Sequence, residues 1–269
     1  MRTVMGIDAA WTVTQPTGIA VVEGDRYGWR LIAAEASYQR FLARADPNLE
    51  PEARPSGSIP NARDLLQAAI ALCGRPVDVV AVDMPLAATP IIGRRVCDNA
   101  VSREYGCRKC GTHSPNAARP GRVAEHLRDT FAAAGYPLRT TEAASPGVIE
   151  VYPHPALVEL ADAAERLPYK AAKTRRYWPA ETPADRRVRL LAMWSEILAM
   201  LESEVAGVTA ALPLPDDDAK GATLKAFEDT LDAVICAWVA ACALEGRAVW
   251  FGDDHSTIWI PKPLPARGS

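Results

Sequence analysis

With 269 residues, 49% of them apolar and 23% charged, the chain has the composition of a soluble globular protein long enough to bury a substantial core. A formal net charge of −3 offers no global attraction to nucleic acid, so any such binding must come from local patches. No apolar run approaches the roughly 18 residues of a membrane span, and the opening MRTVMGID leaves no room for a signal peptide; a cytoplasmic protein without membrane contact is the expectation.

Residues 3–9, 17–23 and 28–36 read as strands, and the turn EGDRYG between the last two predicts an antiparallel meander. In VMGIDAAWTVTQPTGIAVV the first apolar run ends on Asp8. An unpaired buried charge is costly, so Asp8 is either a turn residue at a strand end or has a cation to hold. A polar, Pro-rich connection over 46–60 precedes the amphipathic helix NARDLLQAAIALCG, which ends at Gly74. PVDVVAVDMP then reads as a strand buried on both faces, and it too ends on a carboxylate, Asp83.

Residues 85–120 are rich in Pro, Gly and Arg and read as an excursion from the core. RVAEHLRDTFAAAGY is a helix, and GVIEVYPHP is a strand halted by Pro153 and Pro155. Helices are expected near 156–166 and 183–205, then a long one through DDDAKGATLKAFEDTLDAVICAWVAACALEG, closed at Gly246. A strand pair near 248–251 and 257–260 precedes a Pro-rich tail, 261–269. The order predicts one α/β domain over 1–260, with a helical segment at 156–205. Its mixed sheet runs from the meander into parallel strands and carries helices on both faces.

If the strands ending at Asp8 and Asp83 are parallel neighbours, both carboxylates emerge at the C-terminal sheet edge, where open α/β sheets bind ligands. Asp229 and Asp232, three residues apart on the long helix, share one face. Alone, that pair reads as a solvated helix face. Gathered with Asp8 and Asp83, the four would repel unless cations held them, and hard oxygen donors suit Mg²⁺ or Mn²⁺.

The hairpin GIDAAW…TGIAVV, the AVDMPL strand and the late helix EDTLDAVICAWVA resemble the RNase H-like superfamily. The D-x-x-D helix pair is most similar to the Holliday-junction resolvase branch. GIDAAW, VDMPL, RRVCD, and IEVYPHPAL followed by YKAAK together resemble an uncharacterised family of predicted RNase H-like nucleases, over residues 4–245. Each motif is short; their order and spacing carry the likeness. The resemblance implies an RNase H-like fold in which Asp8, Asp83, Asp229 and Asp232 ligate the ions, with Asp8 bridging them.

IEVYPHP places Glu150, Tyr152 and His154 at period two. His154 could move a proton, orient a water or contact a phosphate, and a histidine bonded to a backbone carbonyl is the structural alternative. Glu150 is a further candidate, as ligand or as support for one. Lys170, Lys173, Arg175, Arg176 and Arg187, interleaved with Tyr169, Tyr177 and Trp178, suit a phosphate backbone and stacked bases, although a solvated helix face explains much of the run.

Cys97, Cys107, Cys110 and His113, in CDNAVSREYGCRKCGTH, have spacing compatible with a structural Zn²⁺; reduced free thiols are the alternative. The expected function is therefore a divalent-metal-dependent nuclease that hydrolyses phosphodiester bonds of DNA or RNA by a two-metal mechanism. Its catalytic candidates are Asp8, Asp83, Asp229, Asp232, Glu150 and His154. The rivals are a phosphotransferase of the sugar-kinase and actin type, and a nucleic-acid-binding or scaffold protein without catalysis.

Overall fold

The computed structural model describes residues 1–262. Its first three strands, β1 (Arg2–Asp8), β2 (Gly18–Asp25) and β3 (Gly28–Glu35), form the expected antiparallel meander. Helices α1 (Tyr38–Ala45) and α2 (Ala62–Cys73) lead into β4 (Val79–Val82), which lies parallel to β1 with Ile7 beside Val82. After α3 (Val96–Tyr105) and α4 (Arg122–Ala133), β5 (Gly147–Val151) adds in parallel beside β4.

The chain continues through α5 (Pro153–Leu160), α6 (Thr174–Tyr177), α7 (Pro183–Glu202), the short β6 (Val205–Ala206) and α8 (Val208–Ala211). The long α9 (Gly221–Leu244) and the hairpin β7 (Ala248–Gly252) and β8 (Thr257–Pro261) close it. The result is one eight-stranded mixed sheet, in the order β6-β3-β2-β1-β4-β5-β8-β7.

Alternation along the strands divides the apolar residues between two faces. Val4, Val79, Ala81 and Ile149 pack with α5, α7 and α9, while Met5, Ile7, Val80 and Val82 pack with α1, α2 and α4. Two glycines bring α9 close to the sheet. A Cβ on Gly6 would strike the backbone at Ala233 and Ala237, and one on Gly18 would strike Asp229. This close approach sets the Asp229 turn of α9 directly over the end of β1.

Several details depart from the sequence reading. α1, α3, β6 and α8 were not expected, and α5 stops at Leu160, short of the expected 166; α3 puts a helix inside the Pro- and Arg-rich excursion. α5 begins at Pro153, three residues early, because proline fits the first helical turn, where its missing N–H would have no partner anyway. The anticipated tail begins inside β8, and residues 263–269 lie outside the described residues. No helix among the described residues is long and apolar enough to cross a membrane.

Candidate active site

Asp8 and Asp83 take their places from strand register. Ile7 pairs with Val82, and the Asp83 N–H donates to the Ile7 carbonyl at 2.9 Å, so the next residue of each strand is a carboxylate at the same sheet edge. Val4, Gly6 and Asp8 alternate onto the α9 face, as do Val79, Ala81 and Asp83. From α9, Asp229 and Asp232 approach the same edge, both buried.

The four carboxylates act on one another. Burial first, then Asp232 and Asp229, raise Asp8 well above the ordinary carboxylate range, with Lys170 opposing. Burial and then Asp232 lift Asp83 to about 7. Burial also lifts Asp229 to about 6, against the nearby Lys225. The cluster is thus short of positive charge at neutral pH.

Two lysines supply part of it. The Lys170 ammonium donates to Asp232 and lies 3.4 Å from Glu228, while Lys225 donates to Asp229 and lies 3.4 Å from Glu228. Asp232 also accepts the Tyr169 hydroxyl at 2.7 Å, so both its oxygens are engaged. Asp229 keeps one oxygen, Oδ2, buried without a donor, while the Asp8 carboxyl lies within hydrogen-bonding reach of Asp229. The sequence singled out Lys170 as a phosphate contact; the structure turns it inward. Lys225 was missed, although its place four residues before Asp229 on a helix is the spacing of an ion pair.

Glu150 is occupied elsewhere. Arg95 donates to both its oxygens, at 2.6 and 2.8 Å, and to both oxygens of Asp98, at 2.9 and 3.0 Å, while the Leu86 N–H donates to Glu150 at 2.6 Å. All three charged side chains are buried. This network braces the chain just after Asp83 against β5 and α3. Both Glu150 oxygens are thereby engaged, and its carboxylate still stands at about 7 because burial outweighs the arginine.

Two adjoining pockets open over this edge. One, about 580 Å³, exposes Asp8, Asp83, Asp229 and Lys225 beneath Trp11 and Arg119. The other, about 230 Å³, is walled by Tyr152, His154, Tyr169, Lys170 and Lys173. Trp11, Asp83 and His113 line both, so the two make one cleft. His154 sits in the first turn of α5 rather than on a strand, 7% exposed, with Nδ1 unpartnered. Burial, then Lys170, lowers its pKa well below the usual histidine value and keeps the ring neutral.

The remaining candidates scatter. Lys173 lines the smaller pocket, Arg175 and Arg176 are exposed on α6, and Arg187 donates to the Ala219 carbonyl at 2.8 Å. Cys97 and Cys110 are buried, Cys107 is exposed with its thiol toward the Glu104 carbonyl, and His113 meets Trp11 edge-on at 6.4 Å. Among the described residues, no three His, Cys, Asp or Glu side chains stand grouped as a ready metal site. The zinc set is therefore not assembled in this structure, and the aspartates surround a pocket without closing on one point.

A comparison with curated proteins returns no match. Residues 6–256 match the family described as Protein of unknown function (DUF429), a span holding Asp8, Asp83, Asp229, Asp232 and both lysines, and the chain belongs to that family.

Proposed function

We propose that this chain is a divalent-metal-dependent phosphodiester hydrolase acting on nucleic acid, built on an RNase H-like version of its mixed α/β sheet. The observation that carries the reading is the pairing of Asp8 and Asp83 at adjacent parallel strand ends, with Asp229 pressed against them by the glycine-relieved contact of α9. The donor types suit a hard cation: Asp8, Asp83 and Asp229 are carboxyl groups raised by burial and then by neighbouring carboxylates, one of them with a buried oxygen that no donor reaches, although they surround the pocket and would have to converge to bind one ion. Asp8, Asp83 and Asp229 would hold Mg²⁺ or Mn²⁺, and Asp232 would hold Lys170. A bound divalent cation supplies Lewis-acid polarisation of a phosphoryl oxygen and a more acidic water.

The chain's own groups do the rest. Lys173 and Arg119, at the cleft walls, offer positive charge to a phosphate backbone; neutral His154 supplies a hydrogen-bonding group without a charge. The test is cleavage of labelled DNA and RNA in Mn²⁺, with Asp83→Asn as the paired control. Cleavage that is absent, or that survives Asp83→Asn, overturns the reading. A second reading, binding without catalysis, draws on the lysines that already sit on Asp229 and Asp232. It expects no Mn²⁺-induced stabilisation at all.

Lys173 also gives a prediction of its own. It lines the cleft and makes no ion pair among the described residues, whereas Lys170 is engaged by Asp232 and Glu228. Lys173→Ala should lower the slope of log affinity against log salt by about 1. Anisotropy of a labelled strand titrated across a salt series measures it; an unchanged slope would place Lys173 outside the phosphate path.

A further inference from the structure

The smaller pocket is walled by aromatic side chains, with the partly exposed Tyr152 backed by His154, 7% exposed, and by the fully buried Tyr169. Tyr152, His154 and Tyr169 form a continuous edge-to-face series, with ring centroids 5.5 and 5.3 Å apart. Trp11 and His113 stand at the mouth shared with the carboxylate pocket, and the Arg119 guanidinium lies 5.7 Å over the Trp11 ring. Only one buried side-chain atom of these five aromatic residues lacks a partner among the described residues, Nδ1 of His154. A neutral imidazole can offer that nitrogen as donor or acceptor to a ligand edge. Lys173 lines the same pocket and adds positive charge beside the rings.

Resting on the hydrolase reading above, the geometry points to this pocket as a receptor for a single unpaired nucleobase, so that the substrate is single-stranded or carries an extruded nucleotide. The partly exposed rings of Trp11 and Tyr152 offer a base its stacking surface, His154 offers its edge a hydrogen-bonding group, and an adjacent phosphate would lie between Lys173 and the carboxylates. Each step of a strand sets a base beside a phosphate, as the cleft sets its aromatic pocket beside its acidic one. An intact duplex offers no base to such a pocket without first unstacking it.

The test is fluorescence anisotropy, without divalent cation so that nothing is cut. The probes are a short labelled single strand, an abasic strand of the same length carrying only sugar and phosphate, and a blunt duplex. The single strand should bind about tenfold tighter than the abasic one, the scale of one stacked base. Trp11→Ala should erase that difference, weakening the base-bearing strand about tenfold more than the abasic one, and Trp11→Phe should restore most of it. Trp11 lies outside the strands and helices, partly buried against the core beneath it, so a thermal melt of each variant first confirms that it folds as the wild type does, and Trp11→Phe keeps that packing.

Equal binding of the two strands, a duplex bound as well as the single strand, no binding of any probe, or a Trp11→Ala loss shared equally by both strands would each overturn the base pocket. The hydrolase reading fails separately. Mn²⁺-dependent cleavage that needs Asp83 but ignores the bases leaves it standing without the pocket, and base-dependent binding without such cleavage leaves the pocket standing without it.

Discussion

Asp8→Asn should abolish the stabilisation that Mn²⁺ gives the wild-type protein, while making the metal-free protein more stable. Asp8 feels Asp232, Asp229 and Asp83 at once, all raising its pKa on top of burial. An acid whose folded pKa is raised costs stability once the unfolded chain has ionised and the folded one has not. That cost is absent below about pH 4, where both states are protonated. It grows as pH rises toward the folded value, and Asp83 at about 7 and Asp229 at about 6 extend the window to neutrality. Asn carries no such charge and relieves its neighbours. In EDTA, the stability of Asp8→Asn relative to wild type should therefore climb from pH 4 to 7. With Mn²⁺ at 100 times its dissociation constant, the wild type should gain about 2.7 kcal/mol. The variant should gain little, because the lost carboxylate is central to the donor set. Thermal melts of both proteins, with and without Mn²⁺, decide it; equal metal-induced shifts would remove Asp8 from the ligands.

What the sequence made legible followed from periodicity. Unbroken apolar runs marked β1, β2 and β4, and their terminal Asp8 and Asp83 could be placed together once the strands were taken as parallel neighbours. The Asp229/Asp232 face needed only helical spacing. What stayed hidden depends on contacts between distant residues. Nothing in IEVYPHP announces that Glu150 meets an arginine 55 positions away, or that Asp232 meets Lys170 from 62 positions away. α1 was missed because eight residues beginning on Tyr38 hold too little periodic signal, although Ser37, whose hydroxyl accepts the Arg40 N–H, is an N-cap that could have marked it. α3 was missed because its flanking prolines, glycines and arginines read as loop, when Arg95 in fact ties the helix to β5. The pairing of β8 with β5, which brings the final hairpin into the main sheet, is likewise a long-range choice that local pattern does not encode.

Lys170→Met should destabilise the protein by about 3–5 kcal/mol, the cost of leaving buried charge without its partner. The lysine side chain is 17% exposed and that of Asp232 fully buried, so solvent cannot replace the lost ammonium. Glu228 keeps the Ala171 N–H at 2.6 Å and Lys225 at 3.4 Å, so Asp232 bears most of the loss. Lys170→Met/Asp232→Asn should recover much of the stability, since the amide is neutral and its oxygen can still accept the Tyr169 hydroxyl. Urea denaturation of the single and double variants measures both steps; a loss below about 1 kcal/mol for Lys170→Met would match a surface ion pair instead. The same substitution separates the lysine's work from that of a metal. Lys170 lowers the pKa of Asp8 and Asp83, so without it those carboxylates repel more strongly. A divalent cation at Asp8, Asp83 and Asp229 would then relieve more repulsion than it does in the wild type, and the Mn²⁺-induced thermal shift should grow. If Lys170 instead served a bound phosphate, the metal shift would stay the same and the salt slope of nucleic-acid binding would fall, the pattern expected of Lys173.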